Sequence, residues 1–241
     1  MHRLIKIVRV IKDLVKPNAK NITAQNLSIV GLNNKVILVE NGKEKIITGK
    51  KISGLDIHIS GNNNTVKIEM PVNFSNSSIV ISESDNDYIY VKSSKYHVNN
   101  FHVNSRLHSN HSLFIDEDFY CNGASIFLRE TGGNVKIGRD CMFASNIVIW
   151  TSDGHCIFDN DTRELLNKPV SGVSIGNHVW LGNSVNILKD SKIADNSVVA
   201  LGGIVSKQFE EKNIIIGGVN KVLRRNINWS REFITDFKGG C

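Results

Sequence analysis

The stretch that decides the fold is residues 175–210, "IGNHVWLGNSVNILKDSKIADNSVVALGGIVSKQFE". It divides into blocks of six. The first column reads Ile175, Leu181, Ile187, Ile193, Val199, Val205, and the fifth reads Val179, Val185, Ser191, Ser197, Gly203, Phe209. Each fifth-column residue stands two places before the next first-column residue, and in an extended strand such side chains share a face. Every block therefore predicts one short strand with a large and a smaller inward group, followed by a turn. Gly176, Gly182, Ala194 and Ala200 sit where the chain must bend tightly. Upstream, Ile137, Phe143 and Ile149 keep the same spacing, so nine first-column positions are all apolar. A short fixed period of this kind is the signature of a solenoid whose stacked coils share one narrow core.

A second, weaker repeat lies further upstream. "LSIVGLNNKVILVE" (27–40) aligns with "IHISGNNNTVKIEM" (57–70), matching Gly31 with Gly61, Asn33 and Asn34 with Asn63 and Asn64, and Val36 with Val66. Each reads as strand, Gly/Asn turn, strand, and "IVISESDNDYIYV" (79–91) reads as a third copy. Residues 21–112 are expected to form irregular β coils that extend or cap the solenoid, since a cap keeps a terminal strand edge from pairing with other chains. A separate carbohydrate-binding module is the alternative for this region.

Composition agrees with a β-rich chain. Of 241 residues only 3 are Pro, aromatics are few, and Val, Ile and Asn are abundant. A formal charge of +6 suits an anionic small ligand or an acidic surface, but no nucleic-acid-binding motif accompanies it, so nucleic acid is not an expected partner. No apolar run is long enough to span a bilayer. In "MHRLIKIVRVIKDLVK", Leu4, Val8, Ile11 and Val15 mark one face of a helix over residues 1–20. Two readings stay open for it: packing on the body of the protein, or contact of residues 1–16 with a membrane surface as a basic amphipathic helix. Charges interrupt its apolar residues, which argues against a secretory leader. Cys121, Cys141, Cys156 and Cys241 form no CxxC pair, so free thiols in a reducing cytoplasm are expected.

The period breaks once, between Ile149 and Ile175, at "TSDGHCIFDNDTRELLNKPVSG" (151–172). A purely supporting solenoid needs no such excursion, and loops on rigid scaffolds are where chemistry tends to sit. The loop, 152–172, holds His155. An unperturbed imidazole titrates near pH ~6.5 and can accept a proton at neutral pH. Asp153, two residues earlier, can either hold that imidazole's tautomer or cap a turn. Cys156 is adjacent to His155, and adjacent side chains usually diverge, so a Cys–His nucleophile is not expected. By alternation Trp180, between inward Val179 and Leu181, faces outward, where a large aromatic calls for cover. Trp150, after inward Ile149, faces out by the same logic. His97, His102, His108 and His111 are spaced too irregularly to promise metal-binding geometry, and no metal is expected.

The segment "VSIGNHVWLGNSVNILKDSKIADNSVVALGGIVSK" (173–207) resembles the hexapeptide acyltransferases, specifically the branch with galactoside acetyltransferase and the O-acetyltransferases of bacterial capsule and lipopolysaccharide. The resemblance is specific over roughly residues 113–223. It implies an all-β, left-handed parallel β-helix over 113–218; beside it, residues 21–112 are read as a β-rich extension or cap and 219–241 as a C-terminal tail, with short terminal helices expected. It implies a homotrimer with sites between subunits, acetyl-coenzyme A as donor, and a sugar hydroxyl of a surface glycan as acceptor.

On this resemblance His155 is the general base, with "DGHC" where the family has "GHP". The amide of Asn183 supports the thioester oxyanion. Tyr120 and Asn122 of "FYCNG", similar to "FYANF", contact the acceptor, and Trp180 lies by both acceptor and donor; Trp150, outward by alternation and not by the resemblance, is a further candidate for acceptor binding. Leu201, Gly202, Ser206, Lys207, Lys221 and Arg224, with Arg225, meet coenzyme A. "GGVNKVLRR" here replaces the family's "GNPAKVI". Hexapeptide carbonic anhydrases carry His inside the repeat, where this chain has "LGN" and "ILKD". Two other functions stay open: an N-acetyltransferase of an amino-sugar nucleotide, against which the lack of GxGxxG in residues 1–112 counts, and a non-catalytic glycan-binding or structural solenoid.

Overall fold

The computed structural model describes residues 27–48 and 52–238. The helix expected over residues 1–20 lies outside them. Strands fill three sheets of 8, 9 and 8 strands, and successive strands pass from one sheet to the next, so the chain winds as a three-sided parallel coil. The first sheet runs from Leu27–Val30 to Ile204–Val205, the second from Lys35–Glu40 to Gln208–Phe209, and the third from Asn73–Ser75 to Ile215–Gly217. Pairing within these limits is parallel. Two antiparallel strands close the ends: Lys43–Ile46 beside Lys35–Glu40, and Lys221–Arg224 beside Ile215–Gly217.

The period of six translates directly into this shape. Ile175 stands opposite Ile193 and Leu181 opposite Val199, each eighteen residues on, so three blocks make one turn. All nine first-column residues are buried, at 0–1% exposure. They form one continuous apolar core with the inward residues of the earlier coils. Cys121 and Cys141 belong to it, and burial pushes both thiols up to about 12.

The upstream repeat also maps onto the coil. Leu27 pairs with Ile57 and Val36 with Val66, so the two aligned copies lie on top of one another, residue against residue. Within each copy the two strands belong to different sheets, and the Gly/Asn turn is a corner between them. Gly31 and Gly61 are fixed there by close approach. A Cβ on Gly31 would sit 1.8 Å from the Gly61 carbonyl oxygen, and one on Gly61 1.9 Å from that of Ser84.

One feature of the expected fold is corrected. Among the described residues there is no helix, and the tail after 218 is a strand, Lys221–Arg224, followed by bends and turns across the third sheet. The segment fails to become a helix because its apolar residues are anchored singly on the coil, not along one helical face: Val222 packs on the core and Trp229 on His178.

Candidate functional site

The outer face of the third sheet carries one half of the candidate residues. Register sets His97, Tyr120, Met142, Trp180 and Val198 one above another, because strand pairing joins Tyr120 to Met142, Met142 to Trp180 and Trp180 to Val198. Trp180 points outward, 37% exposed between buried neighbours, as alternation requires. Part of its cover comes from its own chain: the Trp229 ring lies 6.0 Å away, centroid to centroid.

Where this sheet turns into the first, Asn122, Asn183, Leu201 and Gly202 occupy one corner. The Asn183 side chain accepts the Ser145 N–H at 2.9 Å, and its carbonyl accepts the Gly202 N–H at 2.8 Å. Its own N–H donates to no described residue. That free amide, held on both sides by neighbouring coils, is a preorganised donor for developing negative charge. Leu201 is 74% exposed beside it.

The other half sits at the next corner, between the first and second sheets. Ile137 stands opposite Ile175, thirty-eight residues on, so the coil between them carries twenty residues beyond the usual eighteen. Those extra residues form a loop closed by a bridge between Phe158 and Leu165. Asp159 accepts the Asp161 and Thr162 N–H groups at 2.9 and 2.8 Å, which fixes the loop's tip. The hydrogen bonds hold its own carboxyl below the usual carboxylate range.

Asn167 ties the base of the loop. Its amide donates to the His155 carbonyl at 2.8 Å and to Asp153 Oδ2 at 2.9 Å, and its oxygen accepts the Ile157 N–H at 2.8 Å. The backbone of His155 is thereby pinned, while its imidazole has no hydrogen-bond partner among the described residues. Asp153 does not orient that ring; its carboxylate goes to Asn167 and, at 3.3 Å, to Lys189 Nζ. His155 instead lines a cavity of about 410 Å³ with Glu130, Ser152, Cys156, Lys168 and Pro169.

Glu130 and Asn167 were not singled out by the sequence. Glu130 has φ 62°, a strained corner conformation for a non-Gly residue, and accepts the Ser152 hydroxyl at 3.4 Å. Asn167 had no visible signal, since an Asn between Leu166 and Lys168 in an aperiodic stretch reads as solvated. Trp150 faces outward on the first sheet and stacks on Phe127, 4.0 Å between centroids and 12° between planes.

The residues assigned to coenzyme A divide between the two corners. Leu201 and Gly202 lie beside Asn183. Ser206 and Lys207 lie at the loop's corner, where the Ser206 N–H donates to Asn220 at 2.8 Å. Lys221 and Arg224 are exposed on the closing strand, and Arg225 pairs with Glu211 at 3.0 Å. No group of three or more His, Cys, Asp or Glu among the described residues has the geometry to hold a metal ion. One chain thus presents a rigid half-site on the third sheet and a second half-site on the loop, on opposite edges of the first sheet.

Comparison with known proteins adds a lineage. No family profile matches the chain. A polysialic acid O-acetyltransferase of Escherichia coli O1:K1 / APEC is 34% identical over 109 residues, 44% of this chain and 35% of that protein. A polysialic acid O-acetyltransferase of Neisseria meningitidis is 32% identical over 149 residues, 62% of this chain and 66% of that protein. The chain thus spans between a third and two thirds of the length of these relatives. The solved structure of the polySia-specific acetyltransferase NeuO superimposes with a TM-score of 0.71 over 87% of this chain and 84% of that one, at 24% identity. It shares the left-handed parallel β-helix.

Proposed function

The chain belongs to the hexapeptide-repeat acetyltransferases, and on that premise we propose that it transfers an acetyl group from acetyl-coenzyme A to a hydroxyl of a bacterial surface polysaccharide. The observation that carries this reading is the loop: the chain enters its regular eighteen-residue turns through a coil with twenty extra residues, ties them with Asn167, and uses them to hold out an unpartnered imidazole.

In this mechanism the His155 imidazole removes the proton from a sugar hydroxyl as its oxygen attacks the thioester carbonyl carbon. Negative charge gathers on the carbonyl oxygen, and the free Asn183 N–H donates to it, a contribution of ~3 kcal/mol for a well-placed donor. The intermediate collapses by breaking the carbon–sulfur bond, and the proton held by His155 passes to the departing thiolate. Acetyl is carried directly from donor to acceptor, with no acetyl-enzyme. Tyr120 and Asn122 hold the acceptor. Leu201, Gly202, Ser206 and Lys207 border the donor, with Lys221 and Arg224 toward its phosphates.

The two half-sites lie on opposite edges of one sheet, so a homotrimer is proposed in which the loop of one chain faces the third sheet of the next. The cytoplasm, where acetyl-coenzyme A is made, is the proposed location. The test is incubation of purified protein with acetyl-coenzyme A and a panel of bacterial polysaccharides that includes polysialic acid, read by mass spectrometry. An acetyl increment on a polysaccharide is expected. No increment on any of them, together with no donor binding at millimolar concentration, would defeat the reading.

A further inference from the structure

The segment 228–237 lies across the third sheet and is fastened by side chains that no role above uses. His178, at the preceding corner, puts Nδ1 2.7 Å from Asp140 Oδ2 and Nε2 3.0 Å from the Trp229 carbonyl. The Trp229 indole stacks on the His178 ring at 4.1 Å and 9°, and its Nε1–H donates to the His178 carbonyl at 2.9 Å. Arg231 closes the clasp from the other side. Its Nη2 donates to Asp140 Oδ1 at 3.0 Å while its guanidinium lies 4.0 Å over the Tyr96 ring. Five groups from three coils and the tail therefore interlock.

What the clasp builds is a groove of about 690 Å³ directly over Trp180. Trp180 and Met142 form its floor; Trp229, Phe233 and Phe237 form an apolar wall. Asn228, Ser230, Arg231 and Glu232 add hydrogen-bonding groups along the same segment. Nη1 of Arg231 donates to no described residue. The two indoles are tilted by 46° and do not close into a stack; Trp229, with one face on His178, keeps 9% of its surface exposed, and Trp180 keeps 37%. Flat apolar faces with polar groups beside them match a pyranose ring, whose C–H faces are apolar and whose edges carry hydroxyls. The groove is also continuous with the acceptor face, since the Arg231 guanidinium lies 5.8 Å from the Tyr120 ring.

We propose that residues 228–237 are a working wall of the acceptor site, in which Trp229 and Arg231 bind a sugar ring against Trp180. This rests on the acetyl-transfer reading, and it assigns to the tail a part in selecting the acceptor. Asp140 and His178 are positioning residues, acting through Arg231 and Trp229.

The test uses the full chain on an array of bacterial polysaccharide fragments, polysialic acid among them, with acetyl-coenzyme A affinity measured separately by calorimetry. Trp229→Ala should weaken polysaccharide binding by about tenfold, equivalent to ~1.4 kcal/mol, and leave donor affinity within about twofold. Arg231→Gln, which keeps the bulk of the side chain but not its charge, should give a smaller loss of the same kind. The acceptor KM should rise in both with donor KM unchanged. Because removing Trp229 can free the tail, Trp229→Phe serves as the second variant: it keeps the stack on His178, loses the Nε1–H bond, and should recover most of the binding. Wild-type protein that binds no fragment, or variants that bind fragments as tightly as wild type, overturn the proposal. So does a loss confined to the donor. Failure of wild type to bind acetyl-coenzyme A counts against the acetyl-transfer reading itself and is read independently.

Discussion

The two ends of the coil are wound to different lengths. In the early turns Ile79 stands opposite Val103, twenty-four residues on, and strands such as Leu55–Ser60 and Phe101–Arg106 run for 6 residues. In the late turns the repeat is eighteen, and strands such as Lys192–Ile193 and Ile204–Val205 have 2. The inner corners differ accordingly. The early turns stack polar groups inside one corner, Asn34 on Asn64, Asn64 on Asp87, and Asp87 on His111. The late turns fill the same corner with Ser191, whose hydroxyl donates to the Val205 carbonyl at 2.9 Å.

Long turns with variable corners need a device to fix their register, and a buried ladder of matched donors and acceptors supplies one. Short turns with a strict period are registered by the period itself. The candidate site follows this division. Its rigid half is on the tight coils, where each outward side chain is placed by strand pairing, and its other half is on the loop that enters between Trp150 and Val173.

The sharpest way to break this division of labour is to remove the loop's candidate base. His155→Ala should lower kcat at least ~100-fold with thermal stability unchanged. A variant of near-normal rate would show that the loop does not supply the base. Next, the ladder should carry stability and not activity. Burial pushes the Asp87 carboxyl up, but hydrogen bonds from His111, Ser105 and Ser84 outweigh it and hold it below its ordinary value. Both side chains of the Asp87–His111 pair are fully buried. Asp87→Asn should cost about 3 kcal/mol in denaturant unfolding.

The pH sign follows from that lowered value. The contribution is present above the ordinary carboxylate range of ~3.9 and is lost as pH falls through the lower folded value. Wild-type stability should therefore fall more steeply with acid than that of Asp87→Asn. Equal slopes would remove the ladder from the account. The smallest effect is expected at the loop's base. Asn167→Ala frees the His155 backbone and should lower kcat about tenfold, since small misplacements of a reacting group are costly, with little change in acceptor or donor KM. A change in KM alone would mean that Asn167 binds substrate and does not position the base.

How much of this was legible varied with the source of order. The tight coils were readable because period and structure coincide: each first-column residue from Ile137 to Val205 is buried where the count puts it. The upstream repeat was readable as similarity, and its offset of thirty between Val36 and Val66 is the actual pairing register. The lengths of the next turns were not readable, because Ile57 to Ile79 spans twenty-two residues and Ile79 to Val103 twenty-four, with no fixed period to find. Trp180's outward position followed from alternation alone.

Partners were harder to foresee. Asp153 stands two residues from His155, yet its carboxylate is taken by Asn167 and Lys189, the latter thirty-six residues away. Separation along the chain says little once a loop folds back on a coil. The clasp of Asp140, His178, Trp229 and Arg231 had no sequence signal for the same reason: its first and last residues stand ninety-one positions apart, and none stands out locally.

The central claim is that the loop half and the third-sheet half of a site come from different copies of the chain. Mixing His155→Ala and Trp180→Ala subunits, after mild dissociation and reassembly, tests it most directly. Each variant alone should be nearly inactive. Random reassembly into trimers should place an intact loop against an intact Trp180 face in about a quarter of the sites, restoring about that fraction of wild-type activity. Mixed assemblies that form and stay as inactive as either parent would contradict the claim, and would return both halves of the site to a single chain.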